Sequence, residues 1–128
     1  MNFSRSKPAP VPTVFVVDDE VLLLELAATI LTPIGCKVCT FTDPEKALKE
    51  FPAAAPAVVL TDYAMGRMSG MDLIRECRRI NPQQKTILIS GTVDGEVFAS
   101  AAVKPDVFVA KPYDVTKLVD MVRTMITT

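Results

Sequence analysis

The run Ala57 to Leu60, apolar throughout, with Pro56 before it and Thr61-Asp62 after it, constrains this chain more than any other stretch. A strand lying on a solvated sheet alternates apolar and polar side chains, whereas an uninterrupted run belongs to a strand buried on both faces. Such a strand needs a covering layer on each side and a neighbour along each edge. Further short runs supply the neighbours: Thr13 to Val17, Lys37 to Phe41, Thr86 to Ser90 and Val107 to Ala110. Stretches long enough for helical crossovers separate them. Strand and helix therefore alternate along the chain, which argues a parallel α/β sheet covered on both sides.

The intervening stretches carry helix signals. Within Val21 to Leu31, Leu22, Leu26 and Ile30 fall four apart on one stripe, and the acids Asp18, Asp19 and Glu20 precede them where a helix dipole favours negative charge. Pro33 and Gly35 end that helix. Thr42-Asp43-Pro44-Glu45 offers a cap, a first-turn proline and an acid for a helix to about Phe51, closed by Pro52 and Pro56. Gly66 to Gly70 is turn material; Met71 to Ile80 sets Leu73, Cys77 and Ile80 at helical spacing before Asn81-Pro82 stops it. Asp94 to Ala102 reads as a small, alanine-rich helix, and Asp114 to Ile126 as a last one with Val115, Leu118, Val122 and Met125 turned inward. Ahead of these, Met1 to Pro12 holds three prolines among scattered polar residues and reads as a flexible leader, which leaves residues 13–128 as one domain.

Composition narrows the function. With 128 residues, 49% of them hydrophobic, the chain fills one core and has no room for a second. A net charge of -1 and the absence of a basic cluster interleaved with aromatics argue against nucleic acid as a partner. No apolar run approaches the roughly 20 residues that span a bilayer, and Met1 to Pro12 lacks the apolar stretch of a signal peptide. The expectation is a cytoplasmic protein without a membrane partner. Cys36, Cys39 and Cys77 are an odd set, which suits a reducing compartment. Cys36 and Cys39 form a C-x-x-C string at the start of a strand, where residues three apart face opposite ways, and the chain has no histidine to complete a zinc site. They read as small, partly buried hydrophobes.

In an open parallel sheet the carboxyl ends of the strands converge on one crevice. At those ends this chain carries Asp18 and Asp19, Asp62, Ser90 and Lys111. Carboxylates crowded together repel unless a cation sits among them, and an oxygen-only set suits Mg²⁺, with Mn²⁺ as the alternative ion. A carboxylate polarised in that way can attack a phosphoryl group to give an aspartyl phosphate, and Asp62, at the end of the central strand, is best placed for it. Lys111 and Ser90 offer an ammonium and a hydroxyl for the phosphoryl oxygens. Singly these residues are an ordinary helix cap, turn and loop; their order along the chain is what joins them.

Taken together, Val16-Val17-Asp18-Asp19-Glu20, Leu60-Thr61-Asp62-Tyr63-Ala64-Met65, Gly70 with its following helix, Ile89-Ser90-Gly91 and Phe108-Val109-Ala110-Lys111-Pro112 make the chain resemble a two-component response regulator receiver domain over about residues 13 to 126. The stand-alone, chemotaxis-regulator-like form is the nearest in kind. The resemblance implies a flavodoxin-like, doubly wound five-stranded parallel sheet of order 2-1-3-4-5 with helices on both faces. It implies Mg²⁺ on Asp18, Asp19, Asp62 and the carbonyl of Ala64, phosphorylation at Asp62, and Ser90 and Lys111 as phosphate contacts. It further implies a cis Lys111-Pro112 bond, a switch in which Ser90 moves and Phe108 repacks, and tuning of dephosphorylation by Ala64 and Thr92. By residue chemistry alone Phe108 is simply an apolar strand residue. The family's usual proline four residues beyond the acceptor is replaced here by Gly66.

The function expected on this basis is a phosphorylation-dependent signalling switch. It takes its phosphoryl group from a histidine kinase or phosphotransfer protein, catalyses its own phosphorylation and dephosphorylation, and acts as a monomer or weak homodimer. Its output face is expected at roughly Asp94 to Thr127, and its first helix meets the donor. Two other readings compete. A pseudo-receiver would keep the fold and lose the switch, which the retained Asp18, Asp19, Asp62, Ser90 and Lys111 oppose. A haloacid dehalogenase-like phosphatase would need a second acid two residues after its nucleophile, where this chain has Ala64.

Overall fold

A computed structural model describes residues 11–91 and 102–127. In chain order the elements are β1 (Thr13–Val17), α1 (Val21–Leu31), a 3₁₀ turn (Thr32–Ile34), β2 (Lys37–Phe41), α2 (Pro44–Ala54), β3 (Val58–Asp62), α3 (Gly70–Ile80), β4 (Lys85–Ser90), β5 (Val107–Ala110) and α4 (Val115–Thr127). Thr92, the helix expected over Asp94 to Ala102 save its last residue, and the leader up to Pro10 lie outside the described residues.

The sheet has five strands in the order β2-β1-β3-β4-β5, and every ladder is parallel. This is the doubly wound, flavodoxin-like arrangement the sequence predicts. Side chains alternate across it. Val14 and Val16 of β1 with Val58 and Leu60 of β3 join Leu24, Ala27 and Leu31 of α1 and Leu118 and Val122 of α4 on one face. Phe15, Val17 and Val59 join Ala47 and Phe51 of α2 and Leu73 and Cys77 of α3 on the other. Phe15 anchors that second layer, its ring 4.8 Å from Phe41 and 6.4 Å from Phe51 between centroids. Every residue of β3 is buried, and with each large apolar side chain worth about 1.5–3 kcal/mol on burial, the strand that ends in Asp62 is firmly held. Cys36 packs in the first layer and Cys39 against the second, as residues three apart on extended chain must.

Several local expectations need correcting. The four-apart stripe of α1 is split: Leu22 is 77% exposed and Leu26 42%, while Ile30 packs against the first layer beside the buried Leu24, Ala27 and Leu31. Pro52 does not close α2, which continues to Ala54 and ends on Ala55 at φ 45°. Pro52 lies in the last turn, where the missing N–H costs a single bond. Val115, expected inside, is 40% exposed at the first position of α4, and Ile80, the last residue of α3, is likewise 40% exposed. Leu118 and Val122 are buried as expected, and Met125, half-buried, packs against the same layer. The capping signal at Asp43 holds, its side chain accepting the N–H of Glu45 at 2.9 Å; the structure adds Asp114, which accepts those of Thr116 at 2.9 Å and Lys117 at 3.2 Å.

Candidate functional site

The strand order turns back between β1 and β3, and at such a point the loops leaving adjacent strands run to opposite faces and open a crevice. Asp18 follows β1, and Asp62 is the last residue of β3. Both are buried, each 8% exposed, whereas Asp19 and Glu20 are exposed on the rim. Ser90, the last residue of β4, is 3% exposed; it pairs with Ala110, and its carbonyl accepts the Lys111 N–H at 2.8 Å. Lys111 thus leaves the end of β5 beside β4, and its Nζ meets Asp62 Oδ1 at 2.8 Å. The Lys111-Pro112 bond is cis. One open cleft is lined by Asp19, Glu20, Asp62, Tyr63, Ala64, Ser90, Gly91 and Lys111. Residues from four strand ends, distant in sequence, share it.

The electrostatics are those of crowded acid groups with one cation. Burial pushes the Asp18 carboxyl up to about 6, assisted by the charges of Asp62 and Asp19 and opposed by the Glu20 N–H, which donates to Asp18 Oδ1 at 2.9 Å, and by Lys111. Burial by itself would lower the Lys111 ammonium; the hydrogen bond and charge of Asp62, with Asp18 and Glu20, outweigh it and hold the amine above its ordinary value. Carboxylate oxygens of Asp18, Asp19 and Glu20 lie within 4.8 Å of one another. A hard, oxygen-only donor group whose buried member resists ionisation is chemically suited to a divalent cation.

The loop after β3 is shaped by two glycines. Gly70 opens α3 directly against the end of β3: its N–H donates to the Tyr63 carbonyl at 2.8 Å, and a Cβ there would stand 2.2 Å from the Asp62 carbonyl oxygen. The α3 start is fixed by a reciprocal cap between Ser69 and Asp72. Gly66 takes φ +82°, a conformation closed to proline, so this loop follows a path that a proline there would forbid.

Two residues of the site escape the sequence reading. Glu20 joins the acidic group, while Asp62 turns an oxygen to Lys111 instead. Tyr113 lines a cavity of about 20 Å³ with Asp18, Asp62 and Lys111, and burial raises its phenol against the pull of Lys111. A Tyr two residues after the lysine is the only trace of it in the sequence. Phe108 lies on β5 opposite Leu88, 36% exposed, and faces away from the layer that takes in Val107 and Val109. Ala64 is exposed in the loop after Asp62.

Residues 14–123 match the response regulator receiver domain. The chain belongs to that family. Membership implies phosphorylation-dependent signalling, and the family generally binds Mg²⁺. Among curated relatives, the Probable transcriptional regulatory protein TcrX of Mycobacterium tuberculosis is 30% identical over 124 residues, 95% of this chain and 52% of that protein. The Chemotaxis protein CheY of Thermotoga maritima is 26% identical over 110 residues, 84% of this chain and 91% of that one. The chain therefore spans about half of the first relative and nearly all of the second. A solved response regulator receiver domain protein from Clostridium thermocellum superposes with a TM-score of 0.84 at 27% identity, covering 91% of this receiver and 95% of its own chain. Among the described residues of the receiver, no helix is long and apolar enough to cross a membrane.

Proposed function

We propose that this receiver accepts a phosphoryl group on Asp62 from the phosphohistidine of a kinase or phosphotransfer protein and thereby changes a partner-binding surface. One observation carries the reading: the 2.8 Å contact between Lys111 Nζ and Asp62 Oδ1 at the carboxyl end of the central strand, beside the acidic group of Asp18, Asp19 and Glu20. Asp18, Asp19, Asp62 and the carbonyl of Ala64 would hold Mg²⁺. When bound, the ion offsets the charge of the carboxylates and of the incoming phosphoryl oxygens.

A carboxylate oxygen of Asp62 attacks phosphorus as the bond from phosphorus to the donor nitrogen breaks, its electron pair leaving with the imidazole. Lys111 shifts its ammonium from the carboxylate to a phosphoryl oxygen, and the Ser90 hydroxyl takes another. The donor histidine comes from a second protein, since this chain contains none. Val21 and Leu22, 56% and 77% exposed, flank the acidic rim and support α1 as the face that meets the donor. Occupation of Ser90 by the phosphoryl group frees the space into which Phe108 packs, and an equilibrium of a few kcal/mol between two packings is enough for this to act as a switch. Hydrolysis of the acyl phosphate is governed by water access past Ala64 and Thr92. Residues 1–12 serve as a leader to the receiver.

Acetyl phosphate with Mg²⁺ tests the reading, followed by intact mass. The wild type gains one acid-stable, base-labile phosphoryl group and Asp62→Asn gains none. Repeated turnover of phosphomonoesters, or no uptake at all, overturns it.

A further inference from the structure

We propose that Arg78, Thr86 and Asp106 form a register clamp that positions Lys111 from the opposite end of the sheet. The inference rests on the reading of Lys111 as the amine that contacts the phosphoryl group.

β5 has little of its own to fix its register. It is four residues long, lies on the sheet edge with β4 as its one neighbour among the described residues, and alternates half-buried with exposed positions. Register is firmly set where a strand buries one face fully, whereas Val107 and Val109 are only half-buried against the first layer. Yet the placement of Lys111 depends on this strand, since Ser90↔Ala110 is the last pair and the next residue is the lysine. A slip of one residue would carry Lys111 about 3.3 Å along the sheet and turn its side chain to the other face. Its 2.8 Å contact with Asp62 would then be lost.

The opposite end of the strand is fastened by side chains. One step before the first ladder pair, Ile87↔Val107, Thr86 and Asp106 bond reciprocally: the Thr86 N–H donates to Asp106 Oδ2 at 2.7 Å and the Asp106 N–H donates to Thr86 Oγ1 at 3.2 Å. This exchange exists in one register only. Arg78, from the last turn of α3, locks it: Nη2 donates to Asp106 Oδ2 at 2.9 Å and to Thr86 Oγ1 at 3.1 Å, Nε to the Gln84 carbonyl at 3.3 Å, and Nη1 to the Lys104 carbonyl. Thr86 is fully buried and the Arg78 side chain 20% exposed, whereas the Asp106 side chain is 44% exposed, so the bonds to Thr86 are shielded from water and the charge-assisted bond to Asp106 is partly open to it. One guanidinium thereby ties α3, β4 and the approach to β5 together. The same ladder sets Phe108 opposite Leu88.

The test compares Thr86→Val, which removes the hydroxyl, with Thr86→Ser, which keeps it, and adds Arg78→Ala. Three quantities are read: amide exchange at Val109 and Lys111, the rate of Asp62 phosphorylation by acetyl phosphate, and Mg²⁺ affinity by calorimetry. Thr86→Val and Arg78→Ala should speed exchange at Lys111 and slow phosphorylation by about tenfold or more, with Mg²⁺ affinity unchanged and Thr86→Ser close to wild type. In a Lys111→Ala background the same substitutions should no longer affect the rate. Unchanged exchange at Lys111, or an equal rate loss with and without the lysine, overturns the clamp. A wild type that takes no phosphoryl group while Thr86→Val still speeds exchange at Lys111 overturns the proposed function and leaves the register role standing.

Discussion

The raised carboxyl of Asp18 has a measurable consequence for stability. It titrates at about 6 in the folded protein against an ordinary 3.8, chiefly because burial disfavours its charge. Between those values the folded state keeps a proton that the unfolded chain has released, so metal-free stability is full below the lower value and falls as pH rises through the upper one. The loss is up to about 3 kcal/mol. Urea unfolding between about pH 4.5 and 7.5 should show this decline; Asp18→Asn should flatten it, and Mg²⁺ should restore stability to the wild type at the upper end. Stability that rises over that window without metal contradicts the assignment. Asp72 works in the opposite sense: the Ser69 N–H that it accepts holds its carboxyl below the ordinary value, so its contribution is lost only toward strong acid. Gly70 is a steric case. A methyl there meets the Asp62 carbonyl at 2.2 Å and Leu88 Cδ1 at 2.8 Å, so Gly70→Ala should cost about 1–3 kcal/mol in denaturant unfolding and slow phosphorylation by displacing the end of β3.

Among the elements, α1 shows where sequence reading stops. Only Glu25 and Thr29 interrupt its apolar residues, so no contrast between faces marks the inward side, and the four-residue spacing of Leu22, Leu26 and Ile30 picks out a stripe of which Leu22 and Leu26 face solvent. β3 is the opposite case, because an unbroken apolar run has one physical interpretation. The cap at Asp43 was legible because a short acid before a helix-starting proline has few alternatives. Pro52 misleads because proline is costly inside a helix yet tolerable in a last turn. The two faces of α1 yield a paired prediction. Leu24→Ala should cost about 2–5 kcal/mol, whereas Leu22→Glu should change stability by no more than about 0.5 kcal/mol. Leu22→Glu should nevertheless slow phosphotransfer from a protein donor by about tenfold or more while leaving the acetyl phosphate rate unchanged. Equal rates from both donors would remove α1 from the docking face.

At the scale of the molecule, the sheet order converts a linear series of acids, hydroxyl and amine into one crevice. That conversion was legible because parallel topology dictates it: every strand leaves its handle at the same end. Asp18, Asp62, Ser90 and Lys111 needed only their order along the chain. The Arg78 network was not legible, because its partners lie 8 and 28 residues from Arg78 and follow no period that a strand or helix would impose. Tyr113 was missed likewise, since it lines the same cavity as Asp18 from a position 95 residues away that no period links to it. The proposed phosphoryl acceptor of this crevice is Asp62. Phosphorylation in the presence of Mg²⁺, reduction of the acyl phosphate with borohydride and peptide sequencing check this: homoserine is expected at position 62 and at no other aspartate. Reduction at Asp18 or Asp19, or none anywhere, would contradict it.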